Sequence, residues 1–220
     1  MTFDDEFSTH VDVALPELRA QRVRATFFLT GAQLDGPAPF WWELLQEAAD
    51  RGVSTQRLIP GDDIFEQAAH VTAAPPARRA EIAAALSSLS PLAAARTMPP
   101  EDIARLAAEH DIAFHTLHHH RLDTLTAPQL KAALRDGREK LERLVARPLT
   151  LLAYPHGIAG PREATAARQA GFTLGFTTIW EPCSCTSDPL LIGRIEPGPV
   201  SSSGFLETVS QTLSARVDSG

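Results

Sequence analysis

The chain is poor in cysteine, has no long apolar run and carries no excess of positive charge. Its two cysteines, Cys183 and Cys185, stand one residue apart. That spacing is too tight for an easy structural disulfide, and two are too few for a zinc knuckle, so both read as structural thiols. No apolar stretch approaches the ~18 residues of a membrane helix, so no membrane span is expected. The opening stretch, Met1 to Phe7, has neither a basic segment nor an apolar centre. No export signal is visible there, which points to the cytoplasm. Twenty basic side chains against 27 acidic ones leave a formal charge of −7. No basic stripe offsets it, so nucleic acid is not expected as a partner. No fixed-period repeat occurs. What remains is ordinary for a globular protein: 220 residues, 44% hydrophobic and 21% charged. At roughly 150 residues per domain, that length fits a single domain over 1–220 with a large insertion.

Short apolar runs alternate with amphipathic stretches. Arg24-Ala25-Thr26-Phe27-Phe28-Leu29-Thr30, closed by Gly31, reads as a buried strand. Asp111 to Phe114, Leu149 to Tyr154 and Phe172 to Thr178 read as further strands, and Leu190 to Ile195 as a fifth. Helices are expected from Leu15, over 40–51, over an Ala-rich 62–95 broken at Pro75-Pro76, and from Pro99-Pro100 to Glu109. A long one follows from Thr126 to about Val145, with Gln129 completing a capping-box spacing. Two more cover Pro161 to Ala170 and about Phe205 to Ala215. Strands separated by helices imply a parallel α/β sheet, open or closed into a barrel. Residues 52–97 are the least patterned and read as a helical surface cap without chemistry.

Polar clusters sit at the strand ends. Asp4-Asp5 follows Thr2-Phe3. His115-Thr116-Leu117-His118-His119-His120 follows the strand ending at Phe114. Tyr154-Pro155-His156-Gly157 follows Ala153. In parallel α/β architectures the carboxyl ends of the strands share one face, where sites are built. His115 and His119 stand four apart, a spacing that puts two imidazoles on one side of a turn. One carboxylate would complete a three-ligand set, and a second could act as general base. An acidic pair on its own is commonly a loop or cap, and the Tyr154–Gly157 stretch on its own is a turn. The histidine run is the rarer signal.

These stretches resemble the motifs of the polysaccharide deacetylase family, of the NodB-homology, carbohydrate esterase 4 type. That family opens on TFDDG followed about twenty residues later by ATFF; here Thr2-Phe3-Asp4-Asp5 precedes Ala25-Thr26-Phe27-Phe28. Its second motif, a histidine, Ser or Thr, a second histidine and a leucine, matches His115, Thr116, His119 and Leu122. Its third resembles Ala153-Tyr154-Pro155-His156-Gly157, and Phe40-Trp41-Trp42 and Gly193-Arg194-Ile195 are similar to the exopolysaccharide-linked bacterial subgroup. The resemblance covers roughly 2–34 and 98–200. It implies a distorted, incomplete (β/α) barrel with a helical insertion at about 35–97. The implied reaction is metal-dependent hydrolysis of N-acetyl groups on an amino sugar or polysaccharide. Asp4 matches the catalytic base, and Asp5, His115 and His119 match the metal ligands. The His156 backbone N–H matches the oxyanion donor, and Thr116 matches a residue that steadies the histidine loop. Zinc suits two imidazoles and one carboxylate, as do cobalt and nickel. Tyr154, Pro155, Trp180 and Arg194 are expected on the substrate side.

The chain departs from the family pattern in several places. Glu6 replaces a glycine, so the turn must differ and a third carboxylate is expected near the metal. Ala153 stands where many members have an arginine that holds the base; Arg194 is the candidate replacement. Its usual aspartate partner is not apparent, Ile179-Trp180-Glu181 being the nearest stretch. No histidine follows His156, so the usual general acid is missing, and His156, His118 or Asp4 could substitute. Only three residues precede Asp4, where strands average five or six. The first strand is therefore expected to be loosely held, as if half of it preceded this start, and an exported form stays open. Two other readings remain: a non-catalytic sugar-binding or degenerate relative, and a hydrolase of a small non-peptide amide. An open groove lined by Trp41, Trp42 and Trp180 would favour a sugar.

Overall fold

The computed structural model describes residues 1–35, 39–89, 97–180, 183–195 and 201–214. A five-stranded sheet lies at its centre: β1 (Thr2–Asp4), β2 (Thr26–Leu29), β3 (Asp111–Phe114), β4 (Leu151–Ala153) and β5 (Leu174–Phe176). All neighbours pair in parallel, in the order β1-β2-β3-β4-β5. Each strand lies beside its sequence neighbour, so the sheet lacks the order reversal of a doubly wound fold. It curls instead into an incomplete (β/α) barrel with β1 and β5 as its edges.

Alternation along the strands sorts the core. Phe27, Leu29, Phe114, Leu152 and Tyr154 pack with the helices in the main cluster. Phe28, Ala113 and Ala153 form a small cluster of their own, joined by Leu151 and Phe176. Strands buried on both faces read as continuous apolar runs rather than alternating ones, which is why β2 and β3 stand out in the sequence.

The helices are α1 (Leu15–Gln21), α2 (Trp41–Asp50), α3 (Ile64–Ala73), α4 (Pro76–Leu89), α5 (Pro100–Glu109), α6 (Ala127–Ala133), α7 (Arg138–Val145), α8 (Pro161–Gln169) and α9 (Ser202–Ser214). A π-helical stretch, His10–Ala14, precedes α1. Their starts follow from local chemistry. Proline occupies the first turn of α5, α6 and α8, where its missing N–H is no loss. Asp63 caps α3 by accepting from the Phe65 and Glu66 N–H groups, both at 2.8 Å. Gln129 reaches back to accept from the Thr126 N–H at 2.9 Å. Helices α2, α3 and α4 bury a separate core of Leu44, Leu45, Ile59, Val71, Ile82 and Leu86. The expected helix ends at about 95 and 215 lie outside the described residues.

Three expectations are corrected. The long helix from Thr126 to Val145 is two helices, broken over 134–137. Gly137 there has φ 83, and a Cβ on it would meet Leu117 Cδ1 at 2.8 Å, so the histidine loop presses into the break. Leu190 to Ile195 is not a strand but a single bridge, Phe176 to Ile192. Asp188 explains this: its carboxylate accepts from the Leu190 N–H and its carbonyl from the Leu191 N–H, each at 2.9 Å, so a turn takes up the first half of the segment. The first strand, expected to make one or two ladder bonds, is paired at all three of its residues. Thr2, Phe3 and Asp4 pair with Thr26, Phe27 and Phe28, and the Asp5 N–H donates to the Phe28 carbonyl at 3.0 Å. Among the described residues no helix is long and apolar enough to cross a membrane.

His10 sits behind β1 in an aromatic nest, with the Phe3 and Phe27 rings 5.5 and 5.4 Å away. Burial lowers its pKa to about 4, against an upward pull from Asp4. The unfolded chain takes up this proton near the ordinary value, the folded chain only near 4. The stability is therefore complete above about pH 6.5 and falls as pH drops toward 4, by up to roughly 3 kcal/mol. His10→Phe is expected to flatten that loss in urea unfolding of the metal-free protein between about pH 8 and pH 5. Equal slopes in the two proteins would rule His10 out as the source.

Candidate active site

The site lies where β1, β3 and β4 end. At the end of β1 the chain turns sharply, and Asp5 adopts φ 67, a left-handed conformation that Asp tolerates better than most side chains. The turn brings both carboxylates to one imidazole. Asp4 Oδ2 and Asp5 Oδ1 each lie 3.9 Å from His115 Nε2. Asp5 Oδ1 is also 3.7 Å from His119 Nε2. The His115 and His119 rings stand edge to face, with centroids 4.9 Å apart. His119 in turn meets His156 at 4.6 Å and Trp42 at 5.0 Å.

The orientation of His115 follows from its partner. Its Nδ1 lies 2.9 Å from the Ala153 carbonyl, which can only accept. Nδ1 is therefore the donor in that bond, and Nε2 is the ring atom turned to the carboxylates. Burial, then the nearby His115, His156 and Arg79, hold the pKa of His119 well below its ordinary value, so His119 is neutral. Burial raises the pKa of Asp5; His115 opposes this, and Asp4 and Glu43 add to it. Asp5 Oδ1 is buried without a hydrogen-bond partner. A partnerless carboxylate oxygen crowded by other carboxylates, beside two imidazole nitrogens, fits a cation. The three donor atoms lie within 4.8 Å of one another. Two nitrogens and one oxygen suit zinc, cobalt or nickel better than magnesium.

Asp4 has a different environment. Arg194 donates to both of its oxygens, Nη1 and Nη2 each at 2.7 Å. The guanidinium is itself held by the Thr177 carbonyl and the Thr2 hydroxyl, both at 3.2 Å. Burial would raise the pKa of Asp4, but the Arg194 hydrogen bonds, helped by electrostatic interactions with His115, Arg194 and His10, outweigh it and leave Asp4 below its usual value.

Several site expectations need revision. Arg194 faces Asp4 rather than a substrate, which matches its other expected part as the arginine that holds the base. Tyr154 is fully buried and its hydroxyl donates to the Leu190 carbonyl at 2.9 Å. Pro155 is buried as well. Neither can line a substrate surface. Glu6 does not belong to the Asp5, His115 and His119 group: fully buried, it accepts from the Thr30 hydroxyl and the Gly31 N–H. Burial pushes it up to about 7 against those bonds, and the left-handed turn falls on Asp5 instead. Trp180 is 55% exposed; Glu181 lies outside the described residues. Cys183 and Cys185 are exposed rather than structural thiols. The helical cap of 52–97 is not bland either, for Arg79 donates to the His119 carbonyl at 2.9 Å; just before it, Trp42 lies on the His119 ring. Arg79 carried no sequence signal, being one of two adjacent arginines on an Ala-rich helix.

The family model described as polysaccharide deacetylase matches residues 1–57 and 69–175, and the chain belongs to that family. A curated relative, YxkH of Bacillus subtilis (strain 168), named as a polysaccharide deacetylase, is 28% identical over 209 residues, 93% of this chain and 53% of its own. The chain thus spans about half the length of that relative. The Streptococcus pyogenes deacetylase PplD, solved in complex with acetate, superposes with a TM-score of 0.58 at 16% identity, over 96% of this chain and 68% of PplD. IcaB from Ammonifex degensii gives 0.56 at 16%, over 96% and 71%. At such identities the two structures support the incomplete barrel.

Metal analysis of the purified chain tests the donor set. Stoichiometric zinc is expected, and His115→Ala is expected to abolish it, because losing one of three ligands leaves too few donors. Unchanged metal content in that variant would remove His115 from the set.

Proposed function

We propose that this member of the polysaccharide deacetylase family hydrolyses N-acetyl groups on an amino sugar or polysaccharide. Asp5, His115 and His119 would hold a divalent metal, zinc by preference, and Asp4 would serve as general base. One observation carries the reading. Asp5 and Asp4 flank the same His115 nitrogen at 3.9 Å, yet only Asp4 has a cationic partner, so the two have separable tasks.

A metal bound there supplies Lewis-acid polarisation of the acetyl carbonyl and a lowered pKa for water. The chain supplies the rest. The Arg194 fork keeps Asp4 ionised at neutral pH and fixes its direction, leaving a carboxylate lone pair free to take a proton from water. The His156 residue adopts φ 59 in a turn after β4, and its backbone N–H is the proposed donor to the developing oxyanion. Gly157 makes that turn possible: a Cβ there would fall 2.1 Å from Thr178 Oγ1. The His156 ring packs edge-on against His119, so the proton accepted by Asp4 is the one at hand for the departing nitrogen. The half-buried Trp42 and the exposed Trp180 are the rings available for a sugar face.

Acetate release from acetylated chito-oligosaccharides tests the assignment. Asp4→Asn keeps size and polarity but cannot accept the proton. It is expected to lower kcat by about 100-fold or more, the usual scale of general acid–base catalysis, with metal retained. Loss of metal in Asp4→Asn and its retention in Asp5→Asn would reverse the two roles.

A further inference from the structure

The two histidine ligands of the proposed site are anchored in different ways. His115 is anchored through its ring: Nδ1 is tied to the Ala153 carbonyl at 2.9 Å, next to β4. His119 has no such tie, and its Nδ1 is buried with no hydrogen-bond partner. Its backbone is also strained, with φ 46, and Thr116 in the same loop has φ 62. Left-handed backbone in such residues costs about 1–2 kcal/mol each and persists only where the surroundings impose it.

Arg79 of α4 reaches this backbone from outside the strand-end motifs; the His156 ring also bonds to it. Its Nη1 donates to the His119 carbonyl at 2.9 Å, and its Nη2 donates to the Thr72 carbonyl on α3 at 2.7 Å. The side chain is 5% exposed, its Nε has no partner, and no carboxylate pairs with it among the described residues. Burying a guanidinium without an anion is unfavourable, and an aliphatic side chain would pack a helical cap more cheaply. The arrangement makes sense if those two carbonyls have to be bridged. A planar fork holds two acceptors in one fixed geometry, which an ammonium on a flexible stem does not.

We propose that Arg79 is a positioning residue for the second metal ligand: it clamps the His119 backbone to the α3–α4 cap and replaces the ring anchor that His119 lacks. The proposal rests on the metal-site reading above. It gives the helices between β2 and β3 a task in the site, since the Trp42 ring of α2 bears on the same imidazole.

The test uses the full chain and zinc, with affinity measured by chelator competition. Cobalt substitution serves as a second readout, because its visible spectrum reports ligand geometry. Three variants are compared: Arg79→Met, Arg79→Lys, and Ile82→Ala, which loosens the cap core without touching His119. Arg79→Met is expected to weaken zinc binding by about 10–100-fold, as loss of outer-shell partners does, and to alter the cobalt spectrum. Arg79→Lys, able to serve one carbonyl, is expected to fall between it and wild type, and it carries the test should Arg79→Met fail to fold. Ile82→Ala is expected to lower metal-free stability with zinc affinity and cobalt spectrum intact. Wild-type affinity in the Arg79 variants, or an equal loss in Ile82→Ala, would overturn the clamp and leave the metal site standing. A wild-type chain without stoichiometric zinc would overturn both.

Discussion

The ion pair between Asp4 and Arg194 joins the two ends of the architecture. Asp4 closes β1, one edge of the sheet, and Arg194 follows β5, the other edge. The guanidinium holds the Thr177 carbonyl just past β5 and the Thr2 hydroxyl on β1. It lies 5.6 Å from the Phe28 ring, in the small cluster apart from the helices. A parallel sheet that curls without closing leaves its first and last strands unjoined, and here the 189–192 segment covers the outer edge of β5. Here one arginine crosses that gap, and the same contact aims the carboxylate proposed as base. The contact between the two outer strands and the orientation of the proposed base therefore share a single two-pronged bond, whose geometry lysine could not reproduce.

That bond also separates two residues with the same chemistry. Asp4 and Asp5 are neighbours in sequence and both partly buried, yet their pKa values shift in opposite directions. Burial raises both. Asp4 has the guanidinium to outweigh it, whereas Asp5 has carboxylates for company. Adjacent titratable groups driven apart by their surroundings are a mark of divided labour. A group that is uncomfortable as an anion is where a cation is favourable, and a group held ionised is where a proton can be received. Glu6 completes the pattern by its absence: turned onto Thr30 and Gly31, it adds no third charge to the donor cluster.

The parts legible in the sequence were those set by local rules. The β2 and β3 strands are apolar on both faces, so they stand out as unbroken runs, and the histidines one turn apart announce a donor pair. What stayed hidden was set by contacts between distant residues. The break at Gly137 answers Leu117, twenty positions away. Tyr154 looks like part of an exposed motif, but Gly175 leaves room for its ring and the Leu190 carbonyl takes its hydroxyl. Arg79 reads as a solvated helix charge until the histidine loop is folded against it. Arg194 was foreseen only through a missing partner elsewhere, which is an argument from charge balance rather than from pattern.

Backbone strain locates the site independently of any motif. Among the described residues six that are not glycine have positive φ: Asp5, Arg22, Thr116, His119, Ala146 and His156. Arg22 and Ala146 are helix C-caps, where a left-handed residue is routine. The remaining four all belong to the cluster at the strand ends. At about 1–2 kcal/mol each, their strain amounts to a sizeable part of a domain's net stability. Such a concentration survives only where surrounding contacts over-determine it. Those contacts can be named: the Asp5 N–H on Phe28, the Arg79 fork on His119, and the Thr178 N–H on the Gly157 carbonyl. They come from three separate elements, β2, the α3–α4 cap and the segment after β5. The strained loops are thus held from outside the motifs that define them, so matching motifs alone do not make a working site. The scaffold must also supply the clamps, and here one of them comes from the α3–α4 cap, which carries none of the motifs.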